Sequence, residues 1–223
     1  GVLAIDEGVG KLIKALKETG QYENTLIVYG ADQGIAWGQK GFQMKLAPYD
    51  GTIRGPLIVS MPTKFPTGKV CSKPVGGADL VPTFFKAAGL ELPWKMHGRD
   101  LTPLLTNPER KDWNSPLLLA HTGMSFGENC DVIMEMKDDP IYQKQRVPWW
   151  ISLRTDRYKY IRNLLPGETE ELYDMKNDPD EIKNLAIGKN HLSLLRKLRK
   201  KTIRELLQTD CAFAQKMPPV NNP

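Results

Sequence analysis

The chain has 223 residues, 40% hydrophobic and 26% charged, the balance of a globular protein able to bury a sizeable core. No apolar run reaches the eighteen or so residues of a membrane helix, so a spanning helix is excluded. The net charge of +5 raises the question of a nucleic-acid partner, but its location argues against one. Residues 189–204 hold Lys189, Arg196, Lys197, Arg199, Lys200, Lys201 and Arg204 and no acid, so these seven bases turn a net −2 over the rest of the chain into +5 overall. The basicity belongs to one late helix, whose charged face reads as solvated surface rather than as a nucleic-acid site.

Ile5, Val9, Leu12, Ile13 and Leu16 fall at helical spacing and predict a helix over 3–19 with one buried stripe, stopped by Gly20. Because the opening reads as the middle of a helix and no leader precedes it, the chain is expected to be a processed or truncated piece. Residues 25–29 (Thr-Leu-Ile-Val-Tyr) and 56–61 (Pro-Leu-Ile-Val-Ser-Met) read as fully buried strands, which predicts an α/β layered domain with a parallel or mixed sheet. Asp79 is the expected N-cap of a helix running to Ala88, with Gly89 ending it.

Residues 116–120 predict a further strand, and the polar stretch 122–148 a long loop or insertion. Residues 150–154 and 157–161, around a Thr155-Asp156 turn, predict a β-hairpin with alternating faces. A closing helix is expected from about His191 to Leu207, followed by a disordered Pro/Asn-rich tail, 217–223. Two regions result: 1–110, the end of an α/β domain, and 111–223, a small subdomain of hairpin, long helix and tail. Cys71, Cys130 and Cys211 lack zinc-like or C-x-x-C spacing and are expected to be buried or partly buried thiols.

The chemically informative segment is Ala31-Asp32-Gln33-Gly34, directly after the first strand, where open α/β sheets place ligands. A carboxylate and an amide there are hard oxygen donors suited to Ca²⁺ or Mg²⁺, and equally the make-up of a strand-ending turn. The longer register goes further. Asp32-Gln33-Gly34-x-x-x-Gly38-x-Lys40-Gly41-x-x-x-Lys45 is followed by Tyr49, Ile53-Arg54, Pro56 and Leu57-Ile58-Val59. This resembles the sulfatase family, a branch of the alkaline phosphatase superfamily. Asp6, Asp79-Leu80-x-Pro82-Thr83, Gly98-x-x-Leu101-x-Pro103-Leu104-Leu105, the Arg154–Tyr160 hairpin and Glu171-Leu172-Tyr173-Asp174 extend the match in order to about residue 186.

The resemblance implies an alkaline-phosphatase-like α/β domain followed by a small antiparallel sheet with a C-terminal helix. It implies that Asp32 and Gln33 are two ligands of a divalent cation, usually calcium, and that Lys45 contacts the sulfate, a compact charge offsetting negative charge on the ester. The residue-level alternative for Lys45 is a solvated loop lysine. Where the family often has histidine, this chain has Lys40. No Cys/Ser-x-Pro-x-Arg motif, from which the family makes its formylglycine nucleophile, occurs in the chain. That motif and the early aspartate ligands are expected upstream of Gly1, so the isolated chain is expected to be inactive.

The implied parent reaction is sulfate-ester hydrolysis, on a sulfated small molecule or carbohydrate. The alternatives are a phosphoesterase or phosphonate hydrolase of the same superfamily, or a non-catalytic binding remnant. His121, at the end of the third strand, is a candidate substrate contact, set against a structural histidine. Trp149-Trp150 reads as core or as a sugar-stacking surface. Because the family is commonly exported, the periplasm or the cell exterior is the expected compartment.

Overall fold

The computed structural model describes residues 1–133, 135 and 137–220. In chain order its elements are α1 (Val2–Glu18), β1 (Ile27–Gly30), α2 (Asp50–Ile53), β2 (Leu57–Ser60), α3 (Leu80–Ala88), α4 (Thr102–Thr106), β3 (Leu117–His121), α5 (Pro140–Gln145), β4 (Trp150–Arg154), β5 (Tyr158–Asn163), β6 (Glu171–Asp174) and α6 (Leu192–Gln208). The chain forms two compact units, one of residues 1–32 and 55–113 and one of residues 33–54 and 114–223. Residues 33–54, which precede β2 in sequence, therefore pack with the later part of the chain.

In the first unit β1 and β2 pair antiparallel, with Ile27 opposite Ser60 and Gly30 opposite Leu57. The expected parallel or mixed arrangement is not what these strands form. The 33–54 excursion returns the chain to the point it left, Ala31 N–H donating to Pro56 O at 3.2 Å, so the second strand runs back along the first. Gly55 permits the approach, since a Cβ there would lie 3.0 Å from Ala31 O. Nor are the runs fully buried, as Ile58 is 61% exposed.

The α1 stripe behaves likewise. The helix forms where its spacing predicts, yet none of its residues is buried. An apolar pattern specifies which face seeks cover, and cover depends on what packs there. Asp79 is not a side-chain cap of α3. Its buried carboxylate accepts from Gly76 N–H (2.9 Å) and takes the Arg99 guanidinium at 3.0 and 2.8 Å. Gly89, at φ +71°, does end that helix.

The second unit is built on a four-stranded antiparallel sheet, order β3-β4-β5-β6. Its period-two alternation makes two apolar faces. Leu153, Tyr160 and Leu172 pack with Ala186, Leu195 and Leu198, which puts α6 over one face. On the other, Trp150 packs with Ala47 and Val147, and Ile161 and Tyr173 pack with Met175 and Tyr49. That second layer is supplied by the 33–54 segment. Each large side chain so buried contributes about 1.5–3 kcal/mol.

Trp149 and Trp150 are both core, at 2% and 4% exposure. The 122–148 stretch is not a plain loop, since it contains α5, capped by Asp139 accepting from Ile141 N–H at 2.8 Å. The tail is ordered through its first residues. Met217 packs on the cluster of Trp149, Leu206 and Phe213, and the Arg162 guanidinium donates to Pro218 O. The expected disorder at 221–223 lies outside the described residues. Cys71 is exposed rather than buried, while Cys130 and Cys211 are half-buried.

Candidate functional site

Asp32 lies in the bend after β1 and is exposed; Gln33 follows half-buried. Gly34 sets the path beyond them. Its N–H donates to Thr52 O at 3.0 Å, and a Cβ there would stand 2.8 Å from the carbonyl oxygens of Gly51 and Arg54. Only glycine fits that approach, which ties the start of the 33–54 segment to α2 near its end.

Between these ends the backbone is unusually constrained. Gly38 (φ +107°), Lys40 (+53°), Gly41 (+79°) and Leu46 (+81°) all take left-handed conformations. For a leucine this is a costly geometry that persists only when surroundings impose it. Here the imposition is visible: the buried Trp150 indole Nε1–H donates to Leu46 O at 2.6 Å. Lys45, half-buried, immediately precedes the clamped residue.

Trp150 also reaches His121. The two residues are opposite each other in the β3–β4 ladder, and their rings stack with centroids 5.9 Å apart at 28°. The Nε2 of His121 is buried, with no hydrogen-bond partner among the described residues. Burial lowers the pKa of His121, against an opposing pull from Asp139. Of the four sequence candidates, the second unit thus joins Lys45, through its neighbour Leu46, to His121 by way of one indole, and Gln33 belongs to the same unit. Asp32 is the last residue of the first unit's opening segment.

A second constellation joins residues of the family register to Asp50 and Glu181, which the sequence reading did not single out. Lys159, on β5 and 1% exposed, ion-pairs with Asp50 Oδ1 at 2.8 Å and Glu181 Oε1 at 2.7 Å. Glu181 also accepts from Asp50 N–H at 2.7 Å. Burial raises the Glu181 pKa, with Lys159 pulling the other way. Beside it Lys40 Nζ donates to Tyr173 OH at 3.0 Å and to Glu181 O, and lies 4.3 and 4.5 Å over the Tyr49 and Tyr173 rings. Both tyrosine hydroxyls donate to Glu171, and burial together with that carboxylate raises their pKa values. Lys40 is therefore committed to a buried cation–aromatic cage under the loop.

As metal donors, Asp32 and Gln33 offer a carboxylate and an amide oxygen, adjacent in the chain and of the hard type that calcium or magnesium takes. No group of three or more His, Cys, Asp or Glu suited to a metal occurs among the described residues. The donor set fits part of a cation site rather than a whole one.

Two family models match the chain, one toward each end. The sulfatase family model matches residues 1–90, and that of the N-sulphoglucosamine sulphohydrolase C-terminal region matches residues 141–208. The chain belongs to the sulfatase family. An N-acetylglucosamine-6-O-sulfatase of Bacteroides thetaiotaomicron is 31% identical over 186 residues, 82% of this chain and 30% of the relative. A solved protein in complex with its substrate D-glucosamine-2-N,6-O-disulfate superposes with TM-score 0.76 and 28% identity, over 95% of this chain and 40% of that one. The phosphonate monoester hydrolase of Silicibacter pomeroyi superposes with TM-score 0.73 and 26% identity, over 98% and 43%.

This sulfatase chain spans about a third of the length of the curated relatives it matches. Its fold is that of the alkaline-phosphatase-like sulfatases, with the small antiparallel sheet and the C-terminal helix in place. The family is generally metal-dependent. No helix among the described residues is long and apolar enough to cross a membrane.

Proposed function

We propose that the protein to which this chain belongs hydrolyses sulfate esters of a sulfated carbohydrate, and that this chain supplies one rim of the active site. Lys45 bears on the sulfate, where a fixed ammonium offsets charge developing on the ester and leaving-group oxygens. Asp32 and Gln33 hold part of a divalent cation, calcium being the expected ion; when bound, it supplies Lewis-acid stabilisation of the sulfate oxygens. The formylglycine nucleophile has no source motif among these 223 residues, so no covalent step is assigned to them.

The observation that carries the reading is the strained, indole-clamped segment ending at Leu46, next to the lysine that matches the family register. Backbone strain held in place by core contacts is characteristic of sites that need a side chain in one position. His121, stacked on the same indole with a buried ring nitrogen, is the proposed substrate contact. The sugar preference is supported by the glucosamine disulfate bound in the solved relative and by the N-acetylglucosamine-6-O-sulfatase.

The second reading, a phosphonate or phosphate ester hydrolase, is favoured by the likeness to the Silicibacter pomeroyi enzyme. Rates of the intact protein on an aryl sulfate, an aryl phosphate and a phosphonate monoester separate the two. The sulfate ester is expected to have the highest kcat/KM. A phosphonate preference would favour the second reading, and no turnover of any of the three would leave a binding protein.

A further inference from the structure

Opposite its buried stripe of Leu195, Leu198, Thr202 and Leu206, α6 exposes Arg196, Lys197, Lys200 and Arg204. At 100° per residue these four fall within about a 100° arc, and they span about 12 Å of helix. A solvated helix face ordinarily alternates Glu with Lys at i,i+4, where each pair is favourable. Arg196, Lys200 and Arg204 instead form a like-charge i,i+4 row that works against the helix. Among the described residues, Arg196, Lys197 and Lys200 make no ion pair, and Arg204 has only its neighbour Glu205 at 3.6 Å. The charge therefore does not serve the fold. Arg199, the base that does, points inward to the buried Glu170 at 2.9 and 2.6 Å.

At the flank of this face lies an open groove of about 270 Å³, with Lys201, Arg157, Asn114, Ser115 and Thr155 in its lining, together with Asp156. Arg157 is paired with Asp174, leaving Lys201 as the cation that links groove and helix. A concave, amide- and hydroxyl-lined surface beside a row of fixed cations suits a flexible polyanion bearing hydroxyls. No aromatic residue stands on α6 to stack a base, as single-stranded nucleic acid sites require.

We propose that the outer face of α6 and its flanking groove form a second binding surface for a sulfated polysaccharide chain, separate from the Lys45 segment. It would hold a polymeric substrate while one sulfate is worked on. The proposal rests on the sulfated-carbohydrate reading above and adds where the rest of the chain lies. Sulfates stay ionised at all accessible pH, so attraction to this face depends on salt rather than on pH.

The test compares the intact protein with a quadruple variant, Arg196→Gln, Lys197→Gln, Lys200→Gln and Arg204→Gln. A control loses four exposed lysines elsewhere: Lys11→Gln, Lys14→Gln, Lys69→Gln and Lys86→Gln. Binding of heparin across a salt series, and kcat/KM on a small aryl sulfate, are measured for each. The α6 variant is expected to bind heparin at least tenfold more weakly at 0.15 M salt, with a shallower salt slope and an unchanged aryl-sulfate rate; the control keeps its affinity. Equal loss in the control would mean net charge alone acts, and unchanged heparin binding in the α6 variant would mean the face is merely solvated. Either overturns the proposal, as would tighter binding of duplex DNA than of heparin at matched length and salt. Absence of aryl-sulfate turnover in the unmodified protein would instead count against the sulfatase reading, and is read independently of heparin binding.

Discussion

The Trp150 indole donates a 2.6 Å hydrogen bond to the carbonyl of Leu46, a residue held at φ +81°. Strand β4 thereby fixes the backbone of a segment more than a hundred residues away in sequence, one residue from Lys45. Trp150→Phe keeps most of the buried ring and removes only the donor. It is expected to cost about 1 kcal/mol in urea unfolding. If Lys45 acts as proposed, it should lower kcat of the intact protein roughly tenfold or more with a smaller effect on KM, as misplacement of a catalytic group does. Unchanged kinetics would mean the clamp serves stability alone.

Lys45→Ala is expected to lower kcat/KM of the intact protein by roughly two orders of magnitude, the scale for losing one charge-stabilising contact. Its melting temperature should hardly move. Lys40→Ala behaves in the opposite way, because Lys40 sits under the loop between two aromatic rings. It should destabilise the fold by about 1–2 kcal/mol, and any activity loss should track that destabilisation. Thermal scans beside kinetics tell the two lysines apart; full activity in Lys45→Ala would refute the sulfate contact.

The Lys159 triad makes a stability prediction. Removing the ammonium by Lys159→Met leaves Asp50 and Glu181 facing each other without their cation. The expected cost is about 3–5 kcal/mol, the range for breaking a buried pair. Adding Glu181→Gln to that variant should recover part of the loss, which equilibrium denaturation of the single and double variants measures directly.

Two groups make stability fall on the acid side, in separate pH windows. His121 is held below its ordinary 6.5 by burial, so the unfolded chain takes up a proton first and stability falls as pH drops below about 6.5. Asp174 is held down to about 2, principally by its hydrogen bond from Arg157. Its contribution is full above the ordinary carboxylate value of 3.8 and is lost as pH falls toward 2. His121→Asn should remove the first slope and Asp174→Asn the second, in denaturation midpoints measured from pH 8 to pH 2.

For the cation, calorimetry on the intact protein is expected to find calcium binding that Asp32→Ala abolishes and Asp32→Asn weakens. The asparagine keeps the shape and removes one negative charge. Two protein donors fall short of the six to eight oxygens calcium prefers, so this chain alone should bind it far more weakly than the intact protein. Equal affinity would mean Asp32 and Gln33 are not part of a larger site.

By itself the sequence determined the elements whose signal is local. Apolar spacing located α1 and α6, the terminal signals at Asp79 and Gly89 located α3, and alternation located the β4–β5 hairpin, because these signals depend only on neighbours in the chain. It also determined the family register from Asp32 to Val59. What only the tertiary structure decided were properties that depend on distant partners. The direction of β2 follows from where the 33–54 excursion returns, and the exposure of α1 from what covers it. The buried pairing of Lys159 with Asp50 and Glu181 joins residues up to 131 positions apart, counting the Asp50–Glu181 bond that completes it. A lysine in a hairpin reads as solvated until a second layer lies over its face. That layer is the same segment that carries Lys45, so its attachment to the sheet was decided by packing, which no local pattern encodes.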